Sequence, residues 1–121
     1  MTLTGKMLIG QQAVTGSREA IRAVDPSTNQ ALDPVYPGGT LEQVEQACAL
    51  AWAAFDRFRE TSLEARATFL ETIAEQIEAI GDALIDRAVA ESGLPRARVQ
   101  GERGRTCGQL RTLGRTVRAG E

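Results

Sequence analysis

Cys107 is the residue best suited to covalent chemistry, since it stands in an arginine-rich segment and nearby cations favour the thiolate form of cysteine. A cysteine nucleophile also needs a general base, and the 121 residues of the chain include no histidine. Ser-His-Asp catalysis, Cys-His catalysis and zinc sites built on imidazole are therefore excluded. We interpret Cys107 as a structural thiol, and the other cysteine, Cys48, as a small core residue on the apolar side of a helix.

Two other patterns have ordinary structural interpretations. Glu71, Glu75 and Glu78 are four and three residues apart, so they share one face of a predicted helix, opposite its apolar stripe, where we expect solvated surface. Glycines at positions 101, 104 and 108 do not make a phosphate-binding loop, because such a loop follows a strand and opens a helix. They lie inside a helical pattern together with Gly114, and since each costs about 1 kcal/mol relative to alanine, we expect close packing there.

Charge is unevenly distributed along the chain. The net charge of −2 combines −7 in residues 1–91 with +5 in residues 92–121, where seven arginines occur without an aromatic residue. Basic segments bind nucleic acid or anionic lipid in some proteins, but the recognition of single strands needs aromatic stacking platforms. We therefore expect no nucleic-acid partner, and interpret the arginines as the charged face of a helix that docks on an acidic neighbour.

Composition is that of an ordinary globular domain, with 42% apolar and 25% charged residues. No apolar run reaches the ~18 residues that a membrane-spanning helix needs, and the first ten residues lack the pattern of a signal peptide. Two cysteines cannot form a disulfide framework. We therefore expect a cytoplasmic protein without a membrane partner.

Residues 1–39 are predicted to be rich in strand. Short apolar runs indicate strands at residues 7–9, 11–14, 20–24 and 31–36, of which the first two are predicted to form a hairpin. A cluster of turn formers at 25–29 ends the strand at 20–24. Because Pro34 and Pro37 lack the N–H group that pairing needs, they confine the last strand to an edge or an irregular ribbon.

Residues 40–121 are predicted to be helical. Four helix starts are indicated by capping or first-turn residues, at Thr40, Thr61, Asp82 and Pro95. A glutamine or glutamate follows Thr40 and Thr61 three residues later and completes a capping box in each case. Apolar residues then recur every three or four positions, which is the pattern of an amphipathic helix.

The chain is expected to be one incomplete domain. Its strands are too few and too short for a sheet with its own apolar face, and it has only five aromatic residues to fill a core. The last predicted helix runs to the terminus without a cap, and burial hardly offsets chain entropy in such a piece. The alternative hypothesis is a free-standing helical interaction module that docks through its basic C-terminal helix.

Four segments occur in a recognisable order. VDPSTN at 24–29 is similar to an N-P-x-T-G turn, and an alanine-rich helix with an aromatic pair follows at 41–58. An S-x-x-x-R-x-x-x-L pattern begins at Ser62, and ESGLP at 91–95 is similar to E-x-G-K-P with Leu94 in place of lysine. In this order, the segments resemble the N-terminal part of the NAD(P)-dependent aldehyde dehydrogenase superfamily, over residues 7 to about 118.

Residues 91–111 look most like the bacterial branch of that superfamily that oxidises 2-oxoglutarate semialdehyde with NADP or NAD. The resemblance implies an α/β fold in which this chain contributes short strands and about four helices that pack on a nucleotide-binding sheet absent from it. It also implies that the catalytic cysteine, the glutamate base and the cofactor turn lie downstream. We therefore expect the chain alone to be inactive and to bind no cofactor, and the complete enzyme to be a homodimer or homotetramer.

The same resemblance assigns roles to individual residues. Arg105, Thr106 and Gln109 fall where the family's entrance helix approaches the substrate tunnel, and an arginine there suits an aldehyde that bears a carboxylate. Val24 and Glu91 match positions near a monovalent cation, for which carbonyl and carboxylate oxygens are suitable ligands.

Overall fold

The structure, a computed structural model, describes residues 2–120. It divides the chain into two compact units, Thr2–Glu60 and a second unit that begins at Thr61. Within the described residues, the first unit contains four strands and one helix, and the second contains three helices. No helix in this part of the chain is both long enough and apolar enough to cross a membrane. The mixed α/β composition is the one the sequence predicts.

The strands form two separate antiparallel ribbons. Strand β1 (Met7–Ile9) pairs with β2 (Gln12–Val14) across Gly10, whose φ of 60° is the left-handed conformation that glycine adopts without strain. Strand β3 (Arg18–Asp25) pairs with β4 (Gln30–Gly38), and the register of this ribbon shifts twice. Neither ribbon gains a third strand from the described residues, so neither has the width of a sheet that is stable by itself.

The turn between β3 and β4 is held by side chains. Oδ1 of Asp25 accepts hydrogen bonds from the hydroxyl and the N–H of Ser27, at 2.6 and 2.8 Å. These bonds hold the pKa of Asp25 below its ordinary value, the side-chain bond having the larger effect. Asn29 donates its N–H to the Asp25 carbonyl at 2.7 Å and has a φ of 56°. Asparagine tolerates this left-handed conformation, which explains why it stands where the similar turn has glycine.

Helix α1 (Leu41–Arg59) begins with the capping box that the sequence predicts. The N–H of Gln43 donates to Oγ1 of Thr40 at 3.2 Å, and the N–H of Thr40 donates to Oε1 of Gln43 at 2.9 Å. None of its residues is buried, and Trp52 is 83% exposed. The prediction of Cys48 as a core residue is therefore wrong. The physical reason is that three-residue β1, the main contact of α1 within this unit, is too short to cover its apolar stripe.

Helix α2 (Leu63–Ile80) has Ser62 as its N-cap, whereas the sequence pattern indicated Thr61. Oγ of Ser62 accepts a hydrogen bond from the N–H of Ala65 at 3.1 Å. The hydroxyl of Thr61 instead accepts from Nε of Arg66 at 3.2 Å. The prediction of Thr61 is wrong because only Ser62 combines an extended backbone with a hydroxyl that reaches the third N–H of the helix.

Helix α3 (Asp82–Ser92) and helix α4 (Arg96–Ala119) complete the second unit. Asp82 is the first residue of α3 rather than its cap, and Gly93 ends α3 in the left-handed conformation. Gly120 ends α4 in the same way and donates its N–H to carbonyls of the last turn. The expectation that the last helix is uncapped is therefore wrong, because a left-handed glycine satisfies carbonyl groups that a helix end leaves free.

The core of the second unit lies where α4 packs along α2 and α3. Its buried residues are Ala67 and Ala74 of α2, Ile85 of α3, and Val99, Cys107 and Gly114 of α4. The two alanines are seven residues apart, and so are Cys107 and Gly114. We call the contact of these four small residues the α2–α4 seam. Small side chains at this spacing line one face of each helix and allow close approach of the backbones.

Close packing is present at one of the four glycines of α4. A Cβ atom added at Gly114 would lie 3.3 Å from the carbonyl oxygen of Ala67 and 3.3 Å from Cγ of Glu71. A Cβ atom at Gly101, Gly104 or Gly108 would meet nothing within 4 Å. The expectation of close packing is therefore confirmed for Gly114 and wrong for the other three, which lie away from the seam.

We expect Gly104→Ala to stabilise the protein by about 1 kcal/mol, because alanine loses less backbone entropy in an exposed helix interior. Gly114→Ala is the matched control, since its methyl group must displace the backbone of α2 and we expect no stabilisation. Urea unfolding followed by circular dichroism measures both variants. Equal stabilisation by the two substitutions would contradict the seam geometry.

Candidate functional site

Helix α4 carries the three residues that the resemblance places at a substrate entrance. At 3.6 residues per turn, Arg105 and Gln109 lie about 40° apart around the helix axis, on the side away from Cys107 and the α2–α4 seam. Thr106 lies about 100° from Arg105 on the same scale. All three residues are exposed. Arg105 and Gln109 thus share one polar face, and Thr106 lies at its border.

The charge of Arg105 faces solvent. Its side chain is 71% exposed, and Nε donates to Oε2 of Glu102 at 3.2 Å. The other carboxylate oxygen of Glu102 contacts the guanidinium of Arg98 at 2.8 Å. An exposed ion pair within one helix contributes less than about 1 kcal/mol, so a better placed carboxylate can replace Glu102. Glu102 therefore holds the guanidinium of Arg105 only weakly.

An open apolar groove of about 350 Å³ borders this face. Thr106 lies at its edge, and its apolar lining is Ile77, Ile80, Leu84, Ile85 and Val99. Arg103 also lines it and donates to the carbonyl oxygen of Gly81 at 3.1 Å, which ties α4 to the end of α2. The volume is in the range of small-molecule sites, and the mainly apolar lining fits the carbon chain of a ligand better than its charge.

Val24 and Glu91, the residues matched to a monovalent cation, belong to different units. Val24 is in β3, opposite Ala31 of β4. Oε1 of Glu91 accepts a hydrogen bond from Nε of Arg87 at 2.5 Å, so this carboxylate already has a cationic partner. Among the described residues, no three His, Cys, Asp or Glu side chains are grouped as metal ligands. The cation site stays a prediction.

Neither Cys107 nor the glycines of α4 are arranged for chemistry. Cys107 is 1% exposed and directs Sγ to the carbonyl oxygen of Ala74 at 3.7 Å, within the seam. A side chain buried between two helices cannot reach a substrate, which supports its interpretation as a structural thiol. The glycines at 101, 104 and 108 lie inside α4 and open no helix, so they do not form a cradle for a dinucleotide phosphate.

Five charged residues link α2 to α4, and we call them the ion-pair ladder: Glu64, Glu71, Glu78, Arg111 and Arg118. Arg111 donates to both oxygens of Glu78 at 2.7 Å. Arg118 donates to Glu64 at 2.7 and 3.1 Å and to Glu71 at 2.8 and 2.9 Å. Since the end of α4 pairs with the start of α2, the two helices are antiparallel.

The ion-pair ladder bears on two predictions. Glu71 and Glu78 keep 34% and 46% of their side-chain surface exposed, and Glu75 is exposed, as the sequence predicts. Glu71 and Glu78 are in addition each paired with an arginine of α4, which was not predicted from the sequence. The interpretation of the basic segment as a helix face that docks on an acidic neighbour is confirmed for Arg111 and Arg118. A sequence signal was available: the glutamates recur at intervals of seven residues, as the two arginines do, which keeps each set on one helix face.

Hydrogen bonds of the ion-pair ladder shift the pKa values of its members. The bond from Arg118 lowers the pKa of Glu64 and of Glu71, and the bond from Arg111 lowers the pKa of Glu78. In return, the bond to Glu78 raises the pKa of Arg111 above its ordinary value. All five groups are therefore charged at neutral pH.

The second unit is expected to lose stability in acid. Because folding lowers the pKa of Glu64, Glu71 and Glu78, their stabilising effect is complete above the pKa of unfolded glutamate and is lost as the pH falls through the folded values. Unfolding midpoints in urea, measured from neutral pH down to about pH 3, should fall accordingly. A variant with glutamine at all three positions should show a flatter profile, and an identical profile would contradict the assignment.

The sequence model described as "Aldehyde dehydrogenase family" matches residues 13–120. Because this match covers most of the chain, the chain belongs to the aldehyde dehydrogenase family. The family resemblance of the ordered sequence motifs is thereby confirmed.

Two curated relatives within this family have names that specify an aldehyde. The chain is 58% identical over 121 residues to "Alpha-ketoglutaric semialdehyde dehydrogenase 2" of Azospirillum brasilense, an alignment of 99% of this chain and 23% of that protein. It is 38% identical over 117 residues to "Alpha-ketoglutaric semialdehyde dehydrogenase" of Acinetobacter baylyi, covering 97% of this chain and 22% of that protein. The chain thus spans less than a quarter of the length of these relatives. Both names agree with the branch that residues 91–111 resemble.

Proposed function

We propose that this chain is the N-terminal portion of an oxidoreductase that converts 2-oxoglutarate semialdehyde to its acid, with NAD or NADP as the hydride acceptor. The observation that carries the proposal is the 58% identity over 99% of the chain to a relative named for this aldehyde. The family match over residues 13–120 supports the reaction class. The α-ketoglutaric semialdehyde of the relative's name is a small molecule with a carboxylate.

Within such an enzyme, this segment contributes scaffold rather than the reacting groups. The buried position of Cys107 and the location of the glycines inside α4 support this division. NAD or NADP, when bound, would accept the hydride, and its phosphates would be held by polypeptide beyond this chain. We propose that the complete enzyme is a cytoplasmic homodimer or homotetramer, and two unbridged cysteines agree with a reducing compartment.

Substrate recognition is proposed for the polar face of α4. Arg105 would pair with the substrate carboxylate in place of Glu102, and its 71% exposed side chain supports this role. Gln109 lies one turn further along the same face and offers an amide donor. Thr106, at the edge of the apolar groove, would contact the carbon chain.

A monovalent cation near Val24 and Glu91 is a further proposal. The carbonyl oxygen of Val24 and the carboxylate of Glu91 are ligands of the type that hard cations prefer. Glu91 would serve only after release from Arg87, whose Nε lies 2.5 Å from its carboxylate. A sodium or potassium titration of the complete enzyme, followed by its thermal unfolding midpoint, tests for such a site.

The test of the proposed function compares two purified polypeptides. The first extends this chain to the length of its relatives, and the second is the 121-residue chain itself. We expect NAD or NADP reduction that depends on 2-oxoglutarate semialdehyde from the first and none from the second. Turnover by the 121-residue chain, in a preparation free of host dehydrogenases, would contradict the proposal that this segment contributes scaffold rather than reacting groups. Failure of the long polypeptide to oxidise this aldehyde would contradict the proposed substrate.

A further inference from the structure

The contact between α2 and α4 has little of the side-chain shape that usually fixes helix register. Its centre consists of Ala67 and Ala74 against Cys107 and Gly114, all of which are small. Large side chains interlock and oppose sliding, whereas small ones leave shallow ridges and grooves. The buried centre of this contact therefore specifies only weakly how far α4 is displaced along α2 and how it is rotated about its own axis.

The ion-pair ladder supplies the missing specificity. Arg111 binds Glu78 with two parallel hydrogen bonds of 2.7 Å, a planar geometry that an arginine and a carboxylate satisfy in one orientation. Arg118 is held between Glu64 and Glu71, two turns away. Two anchors on one helix face fix both its translation and its rotation.

If α4 were displaced along α2, fewer of the charged residues in the ion-pair ladder would have partners. If α4 moved by seven residues so that Arg118 met Glu71 and Glu78, Gly114 would face Ala74, but Arg111 would lose its carboxylate partner and Glu64 would lose Arg118. The small residues of the seam repeat at seven and would tolerate this shift, whereas the ladder loses one of its two arginine anchors. The observed register is the one in which all three glutamates are paired.

We propose that Arg111 is a positioning residue: together with Arg118 it fixes the register and rotation of α4 on α2, and thereby holds Arg105 on the opposite face of α4. Arg105 lies about 160° around the helix from Cys107, so any rotation of α4 changes its direction by the same angle. This inference rests on the proposed role of Arg105 in binding the substrate carboxylate. Arg111 itself is directed at Glu78 and acts through the helix.

The test uses the complete enzyme and compares KM and kcat for 2-oxoglutarate semialdehyde and for an uncharged aldehyde of similar length. We expect Arg111→Met to raise KM for the semialdehyde by about three- to tenfold, with kcat unchanged and little effect on the uncharged aldehyde. Glu78→Gln removes the charge from the other side of the pair and should act in the same direction. Arg115→Met is the matched control, because the guanidinium of Arg115 donates to Thr112 within α4.

Combination with Arg105→Met separates positioning from general stability. If Arg111 acts through Arg105, the double variant Arg105→Met/Arg111→Met has the same KM as Arg105→Met alone. Multiplying effects, or equal losses of kcat on both aldehydes, would overturn the positioning role and leave the proposed function standing. If Arg105→Met by itself leaves KM unchanged, the role of Arg105 falls and the inference falls with it. If Arg111→Met does not fold, Glu78→Gln decides the question alone, and an unchanged KM overturns the inference.

Discussion

Replacement of Arg105 by methionine is expected to raise the KM of the complete enzyme for 2-oxoglutarate semialdehyde by about ten- to a hundredfold. A charge-assisted hydrogen bond to a carboxylate contributes about 1.5–3 kcal/mol, and each 1.4 kcal/mol corresponds to a factor of ten. Methionine keeps most of the stem and is a good helix former, so the substitution removes the charge without disturbing α4. Steady-state kinetics on the semialdehyde measure the effect.

Two controls give this prediction its specificity. An uncharged aldehyde of similar length lacks the group that Arg105 would bind, so its KM should change little. Arg98→Met removes another exposed arginine from the same side of α4, one that pairs with the same Glu102, and should leave both substrates unaffected. Equal effects of Arg105→Met on the two aldehydes would assign Arg105 to the solvent-facing surface without a role in recognition.

Ile85→Ala is expected to lower the free energy of unfolding by about 2–5 kcal/mol. Among the described residues, Ile85 and Cys107 are the largest side chains that are fully buried, and the other buried residues of the second unit are Val99 and three small residues. Truncation removes buried apolar surface and leaves a cavity next to Ile77, Ile80 and Val99, which line the same groove as Ile85. Urea unfolding followed by circular dichroism measures the loss.

Ile21→Ala is the matched control for this prediction, because the same side chain is 69% exposed in β3. We expect its effect to remain within about 0.5 kcal/mol, as is usual for surface positions. A destabilisation of the same size in both variants would show that burial in the structure does not describe the energetic core. A loss confined to Ile85 would support it.

Elements held by interactions between close neighbours in sequence were predictable from the sequence. The capping box of Thr40 and Gln43 joins residues three apart, and the turn from Asp25 to Asn29 is closed by its own side chains and backbone. Such contacts form whatever the rest of the chain does, so residue types and spacing suffice to locate them. The family was also determined at this level, since the order of several local motifs carried the resemblance that the match over residues 13–120 confirms.

Local sequence pattern was insufficient to choose between two neighbouring hydroxyl residues as a helix cap. It was also insufficient to predict burial, which depends on another element that covers the residue. Thr61 and Ser62 are both suitable caps, and the backbone conformation at the start of α2 decides for Ser62. Cys48 lies on an apolar stripe that is typical of a buried face. Burial nevertheless needs a neighbour of sufficient length, and the three residues of β1 leave Cys48 exposed.

Only the tertiary structure decided which residues of α2 and α4 meet. Glu71 and Glu78 are partly exposed, as their spacing indicates, but that spacing does not reveal their partners Arg118 and Arg111, which lie 47 and 33 positions away in the sequence. A helix propensity scale assigns the same cost to Gly104 and Gly114. They differ in the structure because the backbone of Ala67 in α2 lies close to Gly114 and not to Gly104. The sequence shows that residue 105 carries a positive charge. The direction in which its side chain points depends on how α4 is rotated on α2. Pairing across such distances in sequence is fixed by how the helices pack, which no local pattern encodes.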